Sequence, residues 1–114
     1  MKYLSVLILA GLLLASVSCS TDPEALPKFR VRNDRATDAS LQVKTSGGNT
    51  ININNVQPGT TSAYQEVAKG QIDITLTIQG ESGDFTGSFL ALTNQTYTVV
   101  VANTTPPSVN IVSP

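Results

Sequence analysis

The chain has 114 residues, of which 13% are charged, with seven Lys and Arg against eight Asp and Glu. That length suits one domain, and the slightly acidic balance argues against a nucleic-acid partner, which calls for a basic excess. His is absent, which removes the commonest general base and metal ligand, and the single Cys excludes an intramolecular disulfide or a paired-thiolate metal site.

The first element is a leader. Met1, Lys2 and Tyr3 make a short positive start, and Leu4 to Val17 is almost unbroken apolar sequence. A membrane-spanning helix needs about 20 such residues. This run is shorter and has the length of a signal-peptide apolar region. It leads into Ala15-Ser16-Val17-Ser18-Cys19, which resembles the lipobox of bacterial lipoproteins, with Ser16 where that pattern usually carries Leu. An ordinary secretory signal cut near Ser18 is the alternative. The resemblance implies that residues 1–18 are a removable lipoprotein signal and that Cys19 bears the lipid as the first mature residue. It also implies attachment to a membrane through that lipid. Ser20 stands where an aspartate would signal retention in the inner membrane, so the implied location is the outer membrane of a bacterial cell envelope. Residues 19–27, with Pro23 and Pro27, are expected to be an extended tether.

From Lys28 the apolar residues recur at every second position, the period of a half-buried strand. Phe29 and Val31 alternate with Lys28, Arg30 and Arg32. Ile51 and Ile53 alternate with Thr50, Asn52 and Asn54. Ile72, Ile74, Leu76 and Ile78 are the clearest set, and Tyr97, Val99 and Val101 another, with Val100 out of phase. Asn33-Asp34, Ser46-Gly47-Gly48-Asn49, Pro58-Gly59, Lys69-Gly70, Gly80 to Gly83 and Thr93-Asn94 supply turn chemistry between them. Strands are predicted near 28–33, 40–45, 50–56, 61–67, 71–79, 84–90, 96–102 and 108–112. Phe85, Gly87, Phe89 and Ala91 compete in phase with Leu90 and Leu92, and a bulge near Gly87 or Ser88 would reconcile them. The expected fold is all-β, a sandwich of seven to eight strands over residues 28–114.

Leu92 followed by Tyr97-Thr98-Val99 looks like the tyrosine corner of Ig-like sandwiches, in which the phenol bonds back to the turn. The stretch Ala63 to Ile74, with Arg30-Val31-Arg32-Asn33 and Gln95 to Val100, resembles a family of uncharacterised bacterial surface domains with Ig-like or transthyretin-like sandwiches. That family implies no catalytic residues.

Two sets of residues are candidates for binding. Lys28, Arg30 and Arg32 share a strand face, with Arg35 just beyond, and would meet an anionic lipid or glycan; the same charges would also protect an edge. Asn52 and Asn54 would hydrogen-bond a sugar or peptide, or simply occupy outward ladder positions. The loops at Ser46–Asn49 and Gly80–Asp84 are candidate recognition tips. Glu81 and Asp84 offer too few ligands for a calcium loop, and a Ser or Thr nucleophile would have only Lys44 or Lys69 as a base. The expected protein is therefore not an enzyme and takes no cofactor. It is a lipid-anchored surface module for interaction or scaffolding; the alternative is a glycan- or protein-binding subunit of an envelope export or uptake system.

Overall fold

The computed structural model describes residues 24–113; the expected leader, Cys19 and most of the tether lie outside them. The described chain is all-β, with eight strands in two four-stranded sheets. In chain order they are β1 (Lys28–Asn33), β2 (Ala39–Lys44), β3 (Thr50–Val56), β4 (Gln65–Glu66), β5 (Gly70–Ile78), β6 (Phe85–Ala91), β7 (Thr96–Ala102) and β8 (Ser108–Val112). One sheet has the order β8-β7-β1-β4 and the other β3-β2-β5-β6. The chain changes sheet after β1, β3, β4 and β6. The pairing of β1 with β7 is parallel, with Phe29 opposite Tyr97 and Val31 opposite Val99; the other ladders are antiparallel.

The period-two residues become the core because each strand turns one face to the opposite sheet. Phe29, Val31, Leu41, Val43, Ile72, Ile74, Leu76, Val99 and Val101 are buried in one cluster, with Ile51, Ile53, Phe85, Phe89, Val109 and Ile111 packed at its margins. Burial of each such aliphatic side chain contributes about 1.5–3 kcal/mol. Val100, out of phase, is buried on the outer face between Arg32 of β1 and Asn110 of β8 in the register.

Two local expectations need correction. The strand expected over 61–67 contracts to Gln65–Glu66, with an isolated bridge from Thr61 to Arg32. Between them the Ser62 side chain replaces ladder bonding: its Oγ accepts from Val31 N at 2.9 Å, and Ser62 N donates to Val31 O at 2.8 Å. No bulge interrupts β6, whose register with β5 runs continuously from Gly70 opposite Ala91 to Leu76 opposite Phe85. Phe85, Gly87, Phe89 and Ala91 keep the inner phase, and Leu90 and Leu92 are exposed. The bulge lies instead between β2 and β3, where Asn55 takes φ 56° and donates its N–H to Ser40 Oγ at 2.9 Å. An amide side chain tolerates that left-handed backbone better than the β-branched residues around it. Gly87 has a separate purpose: a Cβ there would lie 2.5 Å from Val109 Cγ2, so glycine lets β6 approach β8 along one side of the sandwich.

The expected tyrosine corner is present. Tyr97 Oη accepts from Leu92 N at 3.0 Å and donates to Leu90 O at 3.3 Å. Asn33, expected as a turn residue, is wholly buried. Its Nδ2 donates to Thr37 O at 2.7 Å and Val56 O at 2.8 Å, and its Oδ1 accepts from Arg35 N at 2.9 Å. This one amide ties the β1–β2 loop to the end of β3.

Candidate functional site

The two expected binding sets fall on opposite outer faces of the sandwich. Asn52 and Asn54 project from β3 on the outer face of β3-β2-β5-β6, where Gln42 stands opposite Asn52 and also opposite Thr75 of β5. Pleating and pairing bring Ser40, Gln42, Asn52, Asn54, Thr75, Thr77 and Asp84 around one open depression of about 210 Å³. Spacing on such a face is set by the sheet, about 4.8 Å across strands and 6.7 Å between same-face neighbours. Ser40 is engaged by Asn55 N, and Thr77 Oγ1 donates to Asp84 Oδ1 at 3.1 Å. The side chains of Gln42, Asn52, Asn54 and Thr75 form no hydrogen bond among the described residues. They present uncharged donors and acceptors to solvent from a rigid frame.

Lys28, Arg30 and Arg32 project from β1 on the outer face of the other sheet, beside Thr96, Thr98 and Val100 of β7. They do share a face, but the guanidinium groups of Arg30 and Arg32 are engaged by neighbours. Arg32 Nε donates to Asp34 Oδ1 at 3.0 Å and Nη2 to Oδ2 at 3.2 Å. That hydrogen bond, followed by the charge of Asp34, raises the Arg32 guanidinium above its ordinary range. Arg30 Nε donates to Thr98 Oγ1 at 3.1 Å, and its guanidinium lies 4.9 Å from the centre of the Tyr64 ring. Lys28 stands opposite Glu66 of β4. Comparison of the chain with protein-family models finds no match, and comparison with curated proteins finds none either.

Arg35 leaves the stripe altogether. Its Nη1 donates to Ala102 O at 3.0 Å and Thr104 O at 2.9 Å, and its Nη2 lies 3.5 Å from Glu81 Oε2. It clamps three loops at one end of the sandwich. The Gly80–Asp84 carboxylates are thereby separated: Glu81 faces Arg35, while Asp84 turns to Thr77 on the sheet face. Among the described residues no group of three or more acidic or Cys side chains is placed to hold a metal ion. Ser46 Oγ donates to the backbone O of Lys69 at 2.8 Å, so that hydroxyl is not poised on a lysine amine. Lys44 stands opposite Asp73.

The sequence reading found Asn52 and Asn54 but not their companions Gln42, Ser40, Thr75 and Thr77. The outward phase of β2 and β5 was legible as alternation. Which two outward phases lie side by side depends on strand order, which alternation does not encode.

Proposed function

We propose that the protein is a lipid-anchored surface module of a bacterial cell envelope, outer-membrane in location, that acts by interaction and not by catalysis. The observation that carries the interaction reading is the outer face of β3-β2-β5-β6. Its central side chains, the amides of Gln42, Asn52 and Asn54 and the hydroxyl of Thr75, form no hydrogen bond among the described residues and are free to bond a partner. The address rests on Cys19, the one cysteine of the chain, directly behind the apolar leader. Two or more acyl chains on that residue would hold the protein stably at a membrane, because each buried methylene contributes about 0.8 kcal/mol.

The depression around Gln42 favours one narrower reading, a subunit that binds a neutral glycan or a peptide. Amides offer paired donor and acceptor groups to either, and the engaged state of Arg30 and Arg32 makes the opposite face a poorer anion site.

Two measurements test the proposal. Cys19→Ser is expected to move the protein from the detergent phase to the aqueous phase, and the native protein to carry a diacylglyceryl mass on Cys19. A native protein that keeps its leader and carries no acyl mass on Cys19 overturns the anchor. Titration with neutral oligosaccharides and with extended peptides is expected to give binding that Asn52→Ala weakens and added salt barely changes. Steep loss with salt would transfer the interaction to the Lys28, Arg30 and Arg32 face.

A further inference from the structure

The two ends of the sandwich differ in a way that the faces do not. One end, the tether pole, is where the described chain enters. It comprises the segment before β1, the β6–β7 turn, the β2–β3 turn and the Val67–Lys69 segment. The entering chain is fastened there. Ala25 N donates to Asn94 Oδ1 at 2.8 Å, Asn94 N donates to Ala25 O at 2.8 Å, and Lys28 N donates to Gln95 O at 3.1 Å. Asn94 adopts φ 63°, which lets one turn residue offer both groups.

Four of the five large apolar side chains left exposed among the described residues gather towards this pole. Leu26 (48% exposed) lies in the entering segment and Leu92 (52%) in the turn that holds it. Leu90 (57%) stands opposite Gln71 at the start of β5, and Val112 (50%) ends β8 opposite Thr98. The three described lysines lie at the same pole: Lys28 begins β1, Lys44 ends β2 and Lys69 precedes β5. Glu24, Glu66 and Asp73 offset their charge, so the pole is balanced and not strongly basic. The far pole is acidic. Of Asp34, Asp38, Glu81 and Asp84, only Asp34 and Glu81 face an arginine.

From this we infer that the tether pole is a second membrane contact, seating Leu26, Leu90 and Leu92 against the lipid surface with Lys28, Lys44 and Lys69 at the headgroups. The inference rests on the anchor reading for its biological setting. A bilayer is favoured over a protein as the occupant. The segment between Cys19 and Glu24 can extend at most about 18 Å, so a lipid on Cys19 makes this pole the part of the sandwich nearest its point of attachment to the membrane. Exposed leucines and lysines at one pole suit the boundary between acyl chains and anionic headgroups, into which apolar side chains sink about 5–10 Å. The acidic far pole is repelled by the same surface. The consequence is a fixed posture: strands stand away from the membrane, and the loops at Asp34–Asp38, Gly80–Asp84 and Asn103–Pro107 face outward with the Gln42 depression open at the side.

The protein contains no Trp, so a single introduced one reports alone. Every described strand and the whole described core lie after Cys19. The chain from Cys19 onward can therefore be coupled through that thiol to maleimide-bearing vesicles of phosphatidylcholine with phosphatidylglycerol. This makes the result independent of whether the cell lipidates Cys19, which mass analysis of the cell-made protein decides separately. With Leu92→Trp or Leu90→Trp, emission is expected to shift to the blue and to lose most of its intensity to brominated lipid. With Thr37→Trp, at the far pole, neither is expected. All three sites are exposed, so each Trp is tolerated, and circular dichroism checks the fold of each variant. Equal quenching at the two poles, or none at Leu90 and Leu92, overturns the inference. Vesicles of phosphatidylcholine alone are expected to reduce the contrast, and an unchanged contrast removes the lysines from the contact.

Discussion

At the scale of single residues, a few side chains replace what a larger core would supply. Tyr97 is buried yet satisfies its phenol with Leu92 N and Leu90 O. Tyr97→Phe keeps the ring and strands those two groups. The expected cost is about 1–2 kcal/mol, read from the midpoint of denaturant unfolding, and an unchanged midpoint would mean that water replaces the phenol freely. Gly87 is constrained by space and not by its backbone angles. Gly87→Ala should cost about 1–3 kcal/mol, because Val109 must move. Val109→Ala in the same chain should recover part of that loss. A double-mutant cycle without favourable coupling would place β6 and β8 farther apart than described here. Asn33 was legible as a turn former from its type, but its burial was not. A side chain that joins Thr37, Val56 and Arg35 draws on three separate stretches of chain.

At the scale of elements, alternation was the informative signal, at sheet edges as well as between paired neighbours. The predicted bounds of β1, β3, β7 and β8 match those observed, and β2, β5 and β6 differ by a residue at either end. β4 was the exception. Its sequence, Ala63-Tyr64-Gln65-Glu66-Val67, has no clean apolar phase, and as an edge it pairs only with Lys28 and Phe29. Ser62 then competes for the backbone that a longer strand would use. The inner phase of β5 gives a sharp test. Ile74→Ala should lower stability by about 2–5 kcal/mol, and Thr75→Ala, on the outer face, by less than about 0.5 kcal/mol. Equal losses in chemical denaturation would mean that the sheet's inward face has been misassigned.

At the scale of the whole molecule, two sheets bury one core, while β3, β6 and β8 are free edges that carry no charged residue. Edges of that kind are usually protected by charge, bulges or shortness. Here β3 has its bulge at Asn55 and β8 is short. Native-state hydrogen exchange should therefore be slowest in β2, β5 and β7, which are paired on both sides, and faster in β3 and β8. Slow exchange along β3 in dilute solution would show that a partner strand, most simply a second copy, covers it.

The sequence alone determined the period of every strand, the turns between most of them and hence an all-β domain, because backbone pleating ties side-chain direction to position in the chain. It also shows Cys19 just behind the apolar run from Leu4 to Val17, since that pattern is local. Only the tertiary structure decided that Lys28, Arg30 and Arg32 face away from Asn52 and Asn54. Gln42 and Thr75 joined those two asparagines for the same reason, and four exposed apolar side chains gathered where the chain enters. Those relations depend on strand order and on which sheet each strand joins. They are set by packing between segments far apart in sequence, which a period of two does not record.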